Sequence, residues 1–437
     1  MSINKPVIHI VTDYKGPRLS YVLDIIFNTH LGLEYEIHSE SKNLPFDAIK
    51  IFYSDKNLEA DGIRIYKHKL ITEELIHAQD ISVIHDDQWP YFFQSFAFKG
   101  EYKFDLFSLV FYLLTRYEEY LRFTKDKYGR FSSFQSLAFR NQFLEIPIVD
   151  LWILDLKEKI ETRWKIDIPL PRAFKIEPTI DIDTPYAFKN RSLLMHSAAI
   201  ARDGILLRFK RLHQRLLTLI GYRKDPFDTY EYVFEQFEKS RLRPKFFSLM
   251  QCYLPDDQNF SINKKAFKTL IKEISKTAYL GIHPSLRSQN SQEILEDEFT
   301  KLESYSSSKI LSSRQHFLHL NFPDTYQTLL TLQIKHDHSM AYHDRSGFRA
   351  STSVSYPWYD LKNEEKTDLF IHPAQIMDAT LKHHLGYNIN QATSEIQKIK
   401  ARTKDVEGTF SFIWHNSSFS ELYGWQGWDH VFEECLK

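Results

Sequence analysis

Two aspartates near the middle of the chain have a spacing that suits acid–base or metal chemistry. Asp181 and Asp183 close a β-rich run that begins at Phe174. Side chains alternate along a strand, so both carboxylates point to one face, about 7 Å apart. Two anions in a half-buried place need a cation or a proton to relieve their repulsion. A divalent metal would do this, with one carboxylate as ligand and the other as base. Solvated or arginine-paired aspartates are the alternative.

Histidines close several of the later β-rich runs. His283, His372 and His415 each end such a run, and Arg314 and His316 end another. The carboxyl ends of strands in β/α proteins lie at one edge, where reacting groups gather. His372 is equally well explained as a packed core histidine. The remaining residues are candidates for the same site as the aspartates.

The elements that must position these residues alternate between strand and helix. This alternation over residues 172–437 predicts a parallel sheet. About seven repeats predict an α/β fold that closes into a seven-stranded β/α barrel. The predicted strands are Phe174–Asp183, Lys245–Met250, Tyr279–His283, Ile310–His316, Ser339–His343, Leu369–His372 and Thr409–His415.

The preceding residues, 1–165, predict a smaller mixed α/β domain. Residues 116–120, which combine charges with aromatic rings, are expected to pair locally. The proline-containing residues 168–171 are predicted to form a linker. The predicted strands are Val7–Val11, Ala48–Tyr53, Ile63–Tyr66 and Ile81–Ile84, and the predicted helices are Leu19–Thr29, Phe104–Phe123 and 149–165.

Composition excludes several classes of protein. A chain of 437 residues is long enough for two domains. Its net charge of −1 argues against general nucleic-acid binding. Two cysteines, Cys252 and Cys435, exclude a disulfide framework and a four-thiolate zinc site. The first residues lack the apolar core of a secretory signal, which predicts a cytoplasmic location, with the inner face of the membrane as an alternative.

One basic, amphipathic segment, residues 196–224, fits the alternation poorly. Arg208, Lys210 and Arg211 lie among leucines there. Two interpretations stay open. The segment is a helix packed on the barrel, or it makes peripheral contact with an anionic membrane surface.

The motifs together resemble a known family. Residues 179–185 (TIDIDTP) resemble the first motif of NodB-type polysaccharide deacetylases, carbohydrate esterase family four. Four further segments resemble the later motifs in the right order: 281–285, 313–318, 337–350 and 414–416. The first 150 residues resemble an N-terminal domain of unknown function fused to such barrels in Bacteroidetes-type proteins. The resemblance implies a distorted, deacetylase-like β/α barrel.

The resemblance also implies a reaction, the removal of acetyl groups from N-acetylated sugars of a glycan or glycan precursor. Asp181 would be the general base and His415 the general acid, and Arg314 would orient the base. Asp183 and His283 would bind a divalent metal, with zinc the first candidate. Trp414, Arg349 and Asp337 would line the carbohydrate cleft, although an internal ion pair explains Arg349 and Asp337 equally well.

One position departs from the family pattern. The family's second motif ends in another histidine, where this chain has Arg287. Arginine cannot ligate a cation. His316, predicted at the end of the neighbouring strand, is therefore our candidate for the third ligand. The alternative function is a catalytically inactive barrel that binds a glycan or a lipid-linked sugar.

Overall fold

The computed structural model describes residues 6–86, 88–191, 193–250 and 262–437. Their strands form one sheet of four strands and one of nine, so the protein is mixed α/β. Cys435 is buried, whereas Cys252 lies outside the described residues. Among the described residues, every helix is too short or too polar to cross a bilayer.

The N-terminal sheet is parallel throughout, in the order β2-β1-β3-β4. Its strands are β1 (Val7–Val11), β2 (Glu34–His38), β3 (Ile49–Ser54) and β4 (Ile63–Tyr66). The helices of this part are α1 (Pro17–Leu23), a π-helix (Asp24–Leu31), α2 (Leu106–Leu114), α3 (Leu137–Arg140) and α4 (Ile148–Trp164), with 3-10 turns at Lys69–Ile71, Tyr117–Tyr120 and Ser133–Gln135. The predicted strand Ile81–Ile84 is wrong, because Ile84 forms only an isolated bridge to Tyr91.

The second sheet is parallel except for one antiparallel pair, β10 with β11, and has the order β10-β11-β9-β8-β7-β6-β5-β13-β12. Its strands are β5 (Lys175–Ile182), β6 (Lys245–Leu249), β7 (Tyr279–His283), β8 (Ser312–Ser313), β9 (His336–Asp337), β10 (Tyr356–Asp360), β11 (Glu365–Ile371), β12 (Ile376–Met377) and β13 (Thr409–His415).

Most connections in this part are helical. The α-helices are α5 (Leu193–Ile205), α6 (Phe209–Leu219), α7 (Tyr230–Ser240), α8 (Lys265–Thr277), α9 (Gln292–Tyr305), α10 (Asp324–Thr331), α11 (Ile389–Asp405) and α12 (Trp428–Leu436). A π-helix spans Thr380–His384, and 3-10 turns lie at Ser288–Asn290, His316–Leu318, Asn416–Phe419 and Leu422–Gly424.

The structure corrects the predicted number of seven strands in the large sheet. The sheet has nine strands, and β10 and β12 stand at the two ends of the described order, so no closed barrel is shown. The strand predicted at Ser339–His343 lies earlier, at His336–Asp337. The strands β7 and β13 match the prediction to the residue.

The central strand β5 explains why Asp181 is so enclosed. It is bonded to β13 on one side and β6 on the other, and its last five residues are buried. A parallel strand covered on both faces carries mostly apolar side chains. Asp181, exposed by only 2%, therefore needs polar partners inside the protein.

The segment after α2 connects the two sheets through buried charges. Arg116 binds Glu118 and Glu119, each at 2.8 Å, which confirms the predicted local pairing. Glu119 also receives both Nε and Nη2 of Arg349, at 3.0 and 2.5 Å, from beyond β9. Removing one partner would leave an uncompensated buried charge, which is strongly destabilising.

Candidate active site

Three predicted metal ligands come together at the carboxyl ends of the strands. Asp183 follows β5, His283 ends β7 and His316 follows β8. His283 Nε2 lies 3.3 Å from Asp183 Oδ1, and His316 Nε2 lies 3.7 Å from Asp183 Oδ2. Ligands about 2.0–2.2 Å from a tetrahedral zinc are separated by about 3.3–3.6 Å. The spacing of these donor atoms is therefore compatible with a divalent metal.

The carboxylate of Asp183 tests whether these residues fit a cation. Its side chain is 34% exposed, but its Oδ1 atom is buried and makes no hydrogen bond to a described residue. An orphaned buried acceptor is costly, and a cation would satisfy it. Burial opposes ionisation, but the charges of His316 and His415 outweigh it and hold the pKa of Asp183 well below its usual value. The residues fit the metal.

His283 is held with one ring nitrogen facing Asp183. Its Nδ1 lies 2.6 Å from the carbonyl oxygen of Arg314. This backbone acceptor requires the hydrogen on Nδ1, which leaves the lone pair of Nε2 on the side of Asp183. The buried imidazole is thereby in the tautomer that a metal ligand needs.

His316 reaches the cluster from a tight turn. The next two residues, Phe317 and Leu318, have positive φ angles of 58° and 53°. Gln289 donates to the carbonyl oxygen of His316 at 3.2 Å, which fixes the turn from the other side. Arg287 is exposed, whereas His283 and His316 are buried.

Residues 126–130 of the N-terminal part support this turn. Arg130 Nη1 donates to the carbonyl oxygen of Phe317 at 2.8 Å, and the ring of Tyr128 stacks on that of Phe317 at 4.8 Å. Asp126 holds Arg130 through its Nε at 2.8 Å. The N-terminal part therefore helps to position the loop that carries His316.

Asp181 is fixed by a fully buried arginine. Arg314 Nη1 donates to Asp181 Oδ1 at 2.9 Å and to Thr179 Oγ1 at 2.6 Å. Arg314 Nε donates to the carbonyl oxygen of His338 at 3.0 Å, and its guanidinium lies over the ring of Phe247. These contacts hold Arg314 in one orientation, and Asp181 with it.

His415 lies on the other side of Asp183, with its Nε2 3.7 Å from Asp183 Oδ2. Its Nδ1 is 2.7 Å from Asp378 Oδ1, and Asp378 Oδ2 accepts the backbone N–H of His415. Burial disfavours the imidazolium, but the charges of Asp378 and Asp183 outweigh burial and raise the pKa of His415 to about 10. The ring is therefore protonated at neutral pH.

Asp378 is the site residue that sequence reasoning missed. It directly follows β12, a strand of only two residues, and is completely buried. In the sequence, the only indication of this strand end is the apolar pair Ile376 and Met377 directly before the aspartate. That signal was too short to distinguish a strand from a loop.

Three predicted substrate-binding residues lie inside the protein. Trp414 is buried and packs against Phe432 at 5.4 Å. Arg349 is held by Glu119, and buried Asp337 accepts hydrogen bonds from Ser313, Ser339 and Tyr326. Their contacts are those of core residues, and none of these contacts is with the cluster around Asp183.

Two other groups of potential metal ligands occur among the described residues. Glu177, His338 and His372 form one, but Lys245 Nζ lies 2.6 Å from Glu177 and competes with a cation. The group on β1 and β2, formed by His9, Glu36 and His38, is half exposed, and its histidine nitrogens bond each other at 3.0 Å. Of these three groups, the one around Asp183 contains a buried carboxylate oxygen without a hydrogen bond.

Comparison with protein families gives one match. Residues 8–165 match a family of unknown function, DUF7033, which covers less than half of the chain. Comparison with curated proteins gives no match.

Two solved structures are similar to part of the chain. A candidate polysaccharide deacetylase from Mycobacterium smegmatis has a TM-score of 0.40 and 12% identity, over 62% of this chain and 85% of that one. A 4-alpha-glucanotransferase from Thermococcus litoralis has a TM-score of 0.35 and 14% identity, over 61% of this chain and 37% of that one. Scores this low do not bear on function.

Proposed function

We propose that this protein is a metal-dependent hydrolase that removes acetyl groups from N-acetylated sugars of a glycan or glycan precursor. One observation carries the proposal. The donor atoms of Asp183, His283 and His316 lie close together, and Oδ1 of Asp183 is buried without a hydrogen bond. Beside this group are Asp181, which is bound by Arg314, and His415, which is bound by Asp378. The motif resemblance of residues 179–185 and 414–416 supports an acetamido group as the bond that is cleaved.

The metal is proposed to bind Asp183, His283 and His316. A bound zinc-like ion supplies a Lewis acid for the amide carbonyl and lowers the pKa of a bound water. The protein's part is to keep Asp183 ionised and both imidazoles correctly oriented. The carbonyl of Arg314 does this for His283, and the turn at Phe317 does it for His316.

Asp181 is proposed to be the general base. Arg314 binds its Oδ1, so the second carboxylate oxygen has the role of accepting a proton from the attacking water. Thr179 and the carbonyl of His338 hold Arg314 in place, which keeps the base from turning toward the metal ligands.

His415 is proposed to be the general acid. Asp378 engages Nδ1, which leaves Nε2–H on the side of Asp183 to protonate the departing amine. A pKa of about 10 keeps this proton in place at neutral pH until the amine develops its charge.

We also infer that the large sheet curves as a distorted, deacetylase-like β/α barrel. Arg314, after β8, bonds to Thr179 and Asp181 of β5, although two strands lie between them in the sheet. A contact of this kind is expected when a sheet turns back on itself.

The test uses the full chain loaded with zinc and measures acetate release from N-acetylated amino-sugar oligosaccharides. The variant D181N should retain the metal and lose about 100- to 10,000-fold in rate, because a general base contributes that much. The matched control is D105N, which alters a buried aspartate of the N-terminal part that caps α2.

Two results would overturn the proposal. One is a zinc-loaded chain that releases no acetate from any such oligosaccharide. The other is acetate release that persists after a chelator has removed the metal. Oligosaccharide binding without any acetate release would instead support the alternative of a catalytically inactive glycan-binding barrel.

A further inference from the structure

The helical hairpin formed by α5 and α6 has its amphipathic faces reversed relative to an ordinary surface helix. The side of α6 that packs on the protein carries Arg215 and Thr218, which are buried. Arg215 donates to buried Asp203 of α5 at 3.0 Å, and its guanidinium lies 4.7 Å from the ring centre of Phe188. This ion pair fixes the charged face inward.

The apolar face of α6 consequently points to solvent. Phe209, Leu216 and Ile220 recur at positions i, i+7 and i+11, which is one stripe of a helix. Phe209 is 63% exposed and Ile220 is 74% exposed, and Ile205, the last residue of α5, is 81% exposed. A contiguous apolar surface of this kind marks a place where a protein meets a partner or a membrane.

The charges around this apolar stripe indicate which kind of partner it binds. Residues 204–224 contain no acidic residue, and their exposed charges are Arg208, Lys210, Arg223 and Lys224. The chain as a whole has a net charge of −1, so positive charge is concentrated on this hairpin. Basic residues beside exposed large apolar residues match the headgroups and acyl boundary of an anionic bilayer.

The hairpin is attached beside the candidate active site. Asp225, directly after it, accepts the backbone N–H groups of Ala187, Phe188 and Lys189, a few residues after Asp183. Asn416, next to His415, donates to the carbonyl oxygens of Thr184 and Phe227. A surface that binds the hairpin therefore lies near the same edge of the sheet as the site.

We propose that the α5–α6 hairpin docks the protein on anionic phospholipid bilayers, with Ile205, Phe209 and Ile220 inserted at the headgroup level and the flanking basic residues on the lipid charges. This proposal goes beyond the hydrolase activity and does not depend on it.

The test is co-sedimentation of the full chain with phosphatidylcholine vesicles, with and without phosphatidylglycerol. We expect binding that requires phosphatidylglycerol and weakens as salt is added. The double variant R208Q/K210Q should bind about fivefold more weakly for each charge removed. The double variant F209S/I220S should lose at least about tenfold, because two large apolar side chains no longer insert.

Matched controls are F46S/F96S and K99Q/K103Q, which change exposed residues of the same kinds elsewhere. These controls should bind as the unmodified protein does, and all variants should keep its circular dichroism spectrum. Acetate release from a soluble oligosaccharide should be the same in both hairpin variants, which separates this proposal from the hydrolase proposal.

Two outcomes would overturn the docking proposal. One is an absence of binding to vesicles that contain phosphatidylglycerol. The other is a dimer in sedimentation velocity that F209S/I220S dissociates, because the apolar stripe would then be covered by a second copy of the chain.

Discussion

Two carboxylates in different parts of the protein show what distinguishes a structural aspartate from a candidate ligand. Asp105 is the N-cap of α2 and is fully buried, with hydrogen bonds from Tyr53, from Ser108 and from the N–H of His68. Asp183, in the candidate site, has an orphaned oxygen. By hydrogen bonding alone, Asp105 is the better satisfied of the two.

The less well satisfied carboxyl group, that of Asp183, is nevertheless the one that ionises more readily. Burial raises the pKa of Asp105 to about 6, because its hydrogen bonds from neutral groups offset only part of the desolvation. Imidazoles instead hold the pKa of Asp183 well below its usual value, despite burial. Neutral donors satisfy the geometry of a carboxylate, whereas charged neighbours decide whether it stays an anion. Asp183 is kept charged with an oxygen unused, as a metal ligand should be.

The largest effect is expected from the substitution D183N. It removes the anion but keeps the size of the side chain, so the zinc affinity should fall by more than the approximately 100-fold that outer-shell changes cost. Acetate release should be lost with the metal. Isothermal titration with zinc measures the first effect. The control D105N should bind zinc as the unmodified protein does, and equal zinc affinities for D183N and the unmodified protein would contradict the ligand assignment.

The substitution D378N tests the acid without touching the ligands. The neutral amide no longer stabilises the imidazolium, so the pKa of His415 should fall from about 10. The proton is then lost at lower pH, and the alkaline decline of kcat should move in that direction. At neutral pH kcat should drop about 100-fold or more, with zinc affinity little changed. An unchanged pH profile of kcat would exclude His415 as the acid.

Much of the site could be predicted because its residues end clear strands. The runs that became β7 and β13 are apolar enough to identify, and each ends in its histidine. Strand β2 was missed because Glu34-Tyr35-Glu36-Ile37-His38 is a polar edge strand with little burial.

The contacts of the site were harder to foresee than its members. Asp378 meets His415 across 37 positions of sequence, between two adjacent strands, and no local pattern encodes that pairing. The turn that aims His316 uses positive φ angles at Phe317 and Leu318, where no glycine marks the turn. Support from Arg130 depends on how the N-terminal part packs against this loop.

The hydrogen bond from Arg130 to the turn after His316 predicts a smaller effect on zinc affinity. R130M removes the hydrogen bond to Phe317 O, so the turn becomes less rigid and His316 is held less well. Zinc affinity should fall about 10- to 100-fold, as is usual when an outer-shell partner is lost. R163M, which changes a more exposed arginine of the same part, is the control. If R130M matches R163M in zinc titration, the N-terminal part does not position the ligand.

The smallest effect is expected from the substitution D105N, which tests the pKa of the structural aspartate. Because the pKa of Asp105 is raised from 3.8 to about 6, the folded protein binds the extra proton between these pH values. Stability should therefore fall as pH rises through this window, by at most about 1.4 kcal/mol per pH unit. Asparagine keeps the helix cap but cannot titrate. Urea unfolding from pH 4 to pH 6 should give D105N a flatter profile than the unmodified protein. Parallel profiles would mean that Asp105 has its ordinary pKa and that hydrogen bonds from neutral groups are enough to keep a buried carboxylate charged.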